Sequence, residues 1–189
     1  MWRGVGVRLN IMEQIEIKKR AAKIRLLLTD VDGVLTDNGV YYSNSGEAMK
    51  RFSIRDGMGV ERLRKQGIET GIVTGERSPS VAKRAEKLQI TELHMDAKNK
   101  LAVLHEILER KGLAAEEVAF IGDDVNDLEI MKAVGLSACP VDAMPQVVAI
   151  VDYPCLTKGG HGAFREFAEF ILDACSISQP ITISNLSQN

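Results

Sequence analysis

Leu26-Leu27-Leu28-Thr29-Asp30-Val31-Asp32-Gly33 is the stretch on which the fold turns. The apolar run is short and unbroken, and it reads as a strand buried on both faces. It stops at two carboxylates separated by one residue, and Gly33 then lets the chain turn away. In an open α/β sheet the carboxyl ends of the strands face the ligand crevice. Two like charges this close repel unless a cation or a proton sits between them. Asp30 and Asp32 therefore ask for a divalent metal or for acid–base chemistry. The bland reading is an Asp-rich surface turn, and Asp-x-Asp-Gly also opens calcium-binding loops.

Working outward, strand-like and helix-like runs alternate. The strand-like runs are Ile24–Thr29, Glu69–Thr74, Glu92–Met95, Val118–Gly122, Leu136–Cys139 and Ala149–Val151. The helix-like runs are Gly57–Gln66, Ser78–Leu88, Asn99–Lys111, Asn126–Ala133 and Gly162–Ala174. Leu101, Leu104, Ile107 and Leu108 recur at helical spacing, with Gly112 placed as a C-cap. This alternation predicts the α/β class: a Rossmann-like parallel sheet with helices on both faces. The segment Gly39–Ile54 breaks the pattern, with two short β-prone runs around Ser43-Asn44-Ser45-Gly46 predicting a hairpin. Only about 40 residues separate Asp32 from Thr74, too few for a second domain, so no cap domain is expected. The predicted organisation is an N-terminal extension and short helix over 1–23, one domain over 24–175 carrying the hairpin at 39–54, and a loose polar tail over 176–189.

The 189 residues carry a net charge of −2, with 45% hydrophobic and 26% charged residues. That balance suits a soluble globular domain and offers no basic field for nucleic acid. No apolar stretch approaches the ~20 residues of a membrane span, and Met1–Asn10 lacks the apolar core of a signal peptide. Cys139, Cys155 and Cys175 are odd in number and widely spaced, which predicts reduced thiols in a cytoplasmic protein. Met12 opens a plausible short helix, so residues 1–11 read as a disordered extension or an upstream start.

Three more strand ends carry chemistry. Thr74-Gly75 offers a hydroxyl and a backbone N–H at a strand–helix junction, a small anion site, although Thr-Gly turns are common. Lys100 opens a long helix, where a lysine reaches a phosphate as a point charge. A solvated lysine is the plainer reading, and Lys98 competes for the role. Gly122-Asp123-Asp124-Val125-Asn126-Asp127 gathers three carboxylates in five residues, costly without a cation. Mg2+ takes such oxygen ligands, commonly one or two carboxylates together with substrate phosphate. A helix N-terminus decorated with Asp accounts for one or two of these acids, but not for Asp123 together with Asp30 and Asp32.

Asp-x-Asp-Gly, Thr-Gly, Lys and Gly-Asp-Asp-x-x-Asp, each after a strand and in this order, resemble the haloacid dehalogenase superfamily of phosphatases, over roughly Ile24 to Ala174. The absent cap resembles the branch whose members close their sites with neighbouring subunits. The hairpin, Phe52-Ser-Ile-Arg-Asp-Gly57 and Lys158-Gly-Gly-His-Gly-Ala-Phe-Arg-Glu166 further resemble phosphatases of 3-deoxy-2-keto sugar-acid phosphates. The resemblance implies Asp30 as nucleophile, Asp32 as acid–base, and Mg2+ held by Asp30, the Asp32 carbonyl and Asp123. It implies Thr74, Gly75 and Lys100 on the phosphoryl group, with Asp124 and Asp127 orienting the metal's waters and Lys100. Val40, Tyr41, Tyr42, Met49 and Phe52 along the hairpin are too many apolar groups for a solvated flap and predict packing against neighbouring subunits in a homotetramer. The resemblance also implies a small-molecule sugar-acid phosphate as partner. The eight-carbon octulosonate 8-phosphate comes first, then the nine-carbon nononate or an N-acylneuraminate 9-phosphate. Arg55, Glu76, Lys87, Lys158 and Arg165 are the expected substrate contacts. The last two, in a glycine-rich loop, would meet the C1 carboxylate, and Glu76 with Lys87 would read the remote end. Octulosonate enzymes more usually show Arg directly after Thr-Gly, where this chain has Glu76 and then Arg77. A non-enzyme reading, as regulatory partner of a sugar nucleotidyltransferase, would be favoured by loss of Asp30 or Asp123; both are present.

Overall fold

The computed structural model describes residues 11–178. In chain order these form α1 (Ile11–Ala21), β1 (Leu26–Thr29), β2 (Thr36–Ser43), β3 (Gly46–Phe52), α2 (Ile54–Lys65), β4 (Glu69–Val73), α3 (Pro79–Leu88) and β5 (Glu92–His94). There follow α4 (Lys100–Lys111), β6 (Val118–Ile121), α5 (Leu128–Ala133), β7 (Leu136–Cys139), α6 (Pro145–Val148), β8 (Tyr153–Pro154) and α7 (Ala163–Ser178). Six strands make one parallel sheet in the order β5-β4-β1-β6-β7-β8. β2 and β3 pair antiparallel as a separate hairpin.

Period-two alternation divides the core between the faces of the sheet. Leu27, Ala119 and Ile121 pack with Val60, Leu63, Phe164 and Phe167 on the side covered by α1, α2, α3 and α7. Leu26, Leu28, Val118 and Phe120 pack with Leu104, Ile107 and Ile130 on the side covered by α4, α5 and α6. This explains why β1 is apolar at consecutive positions: both faces are covered. From β1 the chain moves out through β4 to β5, then returns across to β6 on the other flank. β1 therefore stands at the switch in strand order, where the crevice opens. Thr29 is level with Ile72 and Ile121, so β1 and β6 end together and β4 runs one residue further.

Three expectations need correction. The last strand is Tyr153–Pro154, not Ala149–Val151. Pro145 starts a helical turn there, and Asp152 is tied to the Ser137 N–H (2.9 Å) and, by a two-pronged pair, to Arg20. The helix expected over Asn126–Ala133 begins instead as a 3-10 turn at Val125–Asp127. Residues 176–178, expected in the loose tail, continue α7, with Ser176 Oγ donating to the Leu172 carbonyl. Of the extension expected over 1–11, Ile11 opens α1; residues 1–10 and the rest of that tail lie outside the described residues. Within them, no helix is long and apolar enough to cross a membrane. Cys139, Cys155 and Cys175 are free thiols.

The hairpin turns at Asn44-Ser45, and Glu47 and Arg51 help latch it to the domain. Glu47 accepts from Ser78 Oγ (2.6 Å) at the N-cap of α3. Arg51 donates to Asp37 (2.7 Å) and to the Gly160 carbonyl (3.1 Å). Tyr41, Tyr42 and Met49 are exposed. Val40 and Phe52 were expected among them but are half-buried, and Phe52 packs on the core beneath Arg84.

Candidate active site

Asp30 directly follows β1, its N–H donating to the Ile121 carbonyl (2.9 Å). Thr74 follows β4, and its N–H donates to the His94 carbonyl (2.9 Å). Asp123 lies two residues beyond β6. The Ala97 N–H donates to the Thr74 carbonyl (2.9 Å), and Asp96 adopts φ of +59°, so the loop after β5 folds over Thr74 and starts α4 beside it. Asn99 caps α4, and Lys100 is its first residue.

Lys100 is buried, with Nζ 2.9 Å from Asp30 Oδ1 and 2.5 Å from Asp127 Oδ1. The second Asp127 oxygen accepts the N–H groups of Asp123 (3.1 Å) and Asp124 (3.5 Å). Asp127 thus holds both the lysine and the Asp123 backbone. Lys98, the rival, is exposed and donates to the Gly75 carbonyl (2.6 Å). Asp124 accepts the Val125 N–H (2.6 Å) and caps the 3-10 turn.

Carboxylate oxygens of Asp30, Asp123 and Asp127 lie within 4.8 Å of one another. Burial pushes the Asp30 carboxyl up to about 6 despite Lys100 beside it. Asp123 is pushed up to about 7, by burial first and then by Asp30, Asp127 and Asp124. Asp123 Oδ2 accepts from Asn38 Nδ2 (3.3 Å), whereas the buried Oδ1 has no partner among the described residues. A buried, unsatisfied carboxylate oxygen is costly, and a hard cation would satisfy it. The donor set is all oxygen, which suits Mg2+ rather than zinc. The spacing also explains Gly33: at φ of +82°, a Cβ there would fall 1.9 Å from Asp123 Oδ2.

Asp32 sits across the cleft, with Thr36 Oγ1 donating to its Oδ1 (3.4 Å) and Lys50 Nζ 2.7 Å from both of its oxygens. Asn38, Glu76 and Asn126 complete the wall. Lys50, Asn38 and Asn126 escaped the sequence reading. Lys50 sits between Met49 and Arg51 in a short strand, with nothing in spacing or composition to mark it.

The expected substrate residues divide. Glu76 lines the cleft. Lys158 is exposed in a loop held against the segment after Asp32, since the Gly160 N–H donates to the Val34 carbonyl (2.8 Å). Arg55 is exposed on the first turn of α2, beside Gly162. Lys87 needs correction. It lies in the last turn of α3, beside Arg64 and Lys65 at the end of α2, not beside Glu76. A helix rises ~1.5 Å per residue, so α3 carries Lys87 to the opposite end of the sheet. Arg165 donates through Nε to Glu169 (2.5 Å), which Arg62 of α2 grips as well.

Residues 57–135 match the model of the haloacid dehalogenase-like hydrolases. The chain is 40% identical over 157 residues to the 3-deoxy-D-manno-octulosonate 8-phosphate phosphatase of Escherichia coli K12, spanning 83% of this chain and 84% of that one. Among solved structures, the enzyme of that name from Yersinia pestis is 42% identical with a TM-score of 0.83, covering 85% of this chain and 87% of that one. The Moraxella catarrhalis enzyme, solved with magnesium, phosphate and the sugar acid, is 35% identical with a TM-score of 0.82, covering 85% and 92%.

A pH dependence follows from the raised carboxyls. A carboxyl raised from an ordinary value near 3.9 contributes stability that is fully present below that value. That contribution is lost as pH rises through about 6 for Asp30 and about 7 for Asp123. Glu92, held down to about 2 mainly by Arg110, His94 and Lys111 against its burial, is ionised throughout that range and adds no slope. Thermal unfolding of chelator-treated protein should show Tm falling from pH 5 to pH 8, and Mg2+ should raise Tm more at pH 8 than at pH 5. A flat or rising profile would contradict the clustered, cation-hungry site.

Proposed function

Because the chain belongs to the haloacid dehalogenase-like hydrolases, we propose that it is a Mg2+-dependent phosphatase of a 3-deoxy-2-keto sugar-acid phosphate, with 3-deoxy-D-manno-octulosonate 8-phosphate first among its substrates. The observation that carries this reading is Lys100, buried between Asp30 and Asp127 with the unsatisfied Asp123 oxygen alongside.

In this reading Asp30 attacks phosphorus in line. The Asp30–phosphorus bond forms as the bond from phosphorus to the sugar oxygen breaks. Asp32 gives its proton to the departing oxygen, then takes one from the water that hydrolyses the aspartyl phosphate and frees orthophosphate. Lys100 and the Thr74 hydroxyl, with the Gly75 N–H, bind the phosphoryl oxygens. Asp127 keeps Lys100 aimed at Asp30. Asp30, the Asp32 carbonyl and Asp123 would hold Mg2+, which when bound supplies positive charge against the transferring phosphoryl group. Glu76 at the cleft wall favours a second reading, in which a nine-carbon nononate or N-acylneuraminate 9-phosphate fits as well. The regulatory-partner reading has no support in a site so fully assembled. The exposed Tyr41, Tyr42 and Met49, with Ile54 and Met58 at the start of α2, support a homotetramer. The free thiols accord with a cytoplasmic setting.

Asp30→Asn should fold normally yet lose more than ~10³-fold in turnover, about 4 kcal/mol of transition-state stabilisation. Chelation should silence the wild type, and Mg2+ should restore it. Residual activity of Asp30→Asn near wild type would remove Asp30 as nucleophile. Phosphate release across eight- and nine-carbon sugar-acid phosphates should rank the octulosonate first by kcat/KM. A clear preference for a nine-carbon ester would transfer the assignment to the second reading. Light scattering at micromolar concentration should give four chains per particle; an active monomer would refute the tetramer.

A further inference from the structure

We propose that Lys50 is the positioning residue of the acid–base carboxylate, so that the hairpin belongs to the reacting site of its own chain and is not only a surface. This rests on the phosphatase reading above. Lysine is rarely buried unless paired, yet the Lys50 side chain is only 2% exposed. Its ammonium lies 2.7 Å from each oxygen of Asp32. Thr36 Oγ1 adds a third, longer contact at 3.4 Å. Together these donors fix the plane of the carboxylate, which a lone Asp would sweep through several rotamers.

The strand that carries Lys50 is itself fixed. Val40 pairs with Lys50 across the hairpin. Arg51 points the other way, to Asp37 and the Gly160 carbonyl. Glu47 lies 3.8 Å from Lys50 Nζ while accepting from Ser78 Oγ, so it braces the lysine against the N-terminus of α3. A chain of polar contacts thus runs from Ser78 through Glu47 and Lys50 to Asp32. Proton transfer to a leaving oxygen depends on donor placement within a few tenths of an ångström, and this chain supplies it.

The experiment measures kcat/KM for a sugar-acid phosphate and for p-nitrophenyl phosphate, in wild type, Lys50→Met, Lys50→Arg, Asp32→Asn and the Asp32→Asn/Lys50→Met double variant. This constant covers the steps up to loss of the leaving group. A nitrophenolate leaves without a proton, whereas a sugar alkoxide needs one. General acid catalysis is worth ~10²–10⁴-fold, so Lys50→Met should lose ~10²-fold on the sugar ester and under ~5-fold on the aryl ester. Lys50→Arg should recover most of the loss. On the Asp32→Asn background, Lys50→Met should cost little more, because the two act as a unit. Equal losses on both esters would overturn the proposal in favour of a structural role. Additive losses with Asp32→Asn would overturn it in favour of direct substrate binding. An unaffected Lys50→Met would overturn it outright. Wild-type protein inert toward both esters would instead overturn the phosphatase reading.

Discussion

The buried ammonium of Lys100 is the constraint on which the site depends. Asp30, Asp123 and Asp127 crowd their oxygens within 4.8 Å at the end of a sheet whose apolar layers exclude water on both sides. Without a cation such a cluster would relax by protonation or by spreading apart. Lys100 joins two of its members at 2.9 and 2.5 Å, and Asp127 uses its other oxygen to fix the Asp123 backbone. Removing one partner of a buried pair typically costs about 3–5 kcal/mol, because the other charge stays buried and unmatched. Asp30, Lys100 and the candidate metal ligand Asp123 are thus one electrostatic unit. Its unmet demand is the buried Asp123 Oδ1, which has no partner among the described residues.

The sheet makes that unit possible by bringing distant segments level. Asp30, Thr74 and Asp123 come from three adjacent strands whose ends lie within one residue of one another. Gly33 and Gly122 then let backbone and carboxylates approach more closely than a Cβ would permit, Asp123 beside Gly33 and Asp127 beside Gly122. The glycines set how tightly the carboxylates are packed, and so how far burial raises Asp30 and Asp123.

What was legible in the sequence, and what was not, follows the range of the interactions. The strands of the sheet and the carboxylates at their ends announce themselves locally, because an apolar run interrupted by Asp is a contrast within a few residues. Lys100 was legible as a helix-opening lysine, but its preference over Lys98 was not. That choice depends on Asp96 adopting a left-handed backbone and aiming one lysine inward, the other at the Gly75 carbonyl. The strand at Tyr153–Pro154 was misplaced because Ala149–Val151 is the more apolar run, while the observed pairing is fixed by Asp152 reaching Ser137 and Arg20. Lys87 was grouped with Glu76 on resemblance, and a helix of ten residues separates them. Arg165 gave no local sign that its Nε would pair with Glu169, one turn on.

The two lysines divide the chemistry between two parts of the chain. Lys100 belongs to the doubly wound scaffold and pairs with Asp30, the carboxylate assigned to attack on phosphorus in the proposed reaction. Lys50 belongs to the inserted hairpin and touches the carboxylate assigned to proton transfer. The two carboxylates are only two residues apart, yet their cationic partners come from elements 50 residues apart in sequence. Attack on phosphorus needs a site that does not move, and a helix N-terminus packed on the sheet gives it that. Proton transfer must suit the leaving group, which differs between substrates. In the proposed reaction a hairpin tied down by Glu47 to Ser78 and by Arg51 to the Gly160 carbonyl shapes that environment from outside the sheet. Among the described residues no cap domain covers the cleft, so in the proposed reaction the hairpin is the element outside the sheet that reaches the proton-transfer carboxylate, while the strand ends and α4 hold the phosphoryl group.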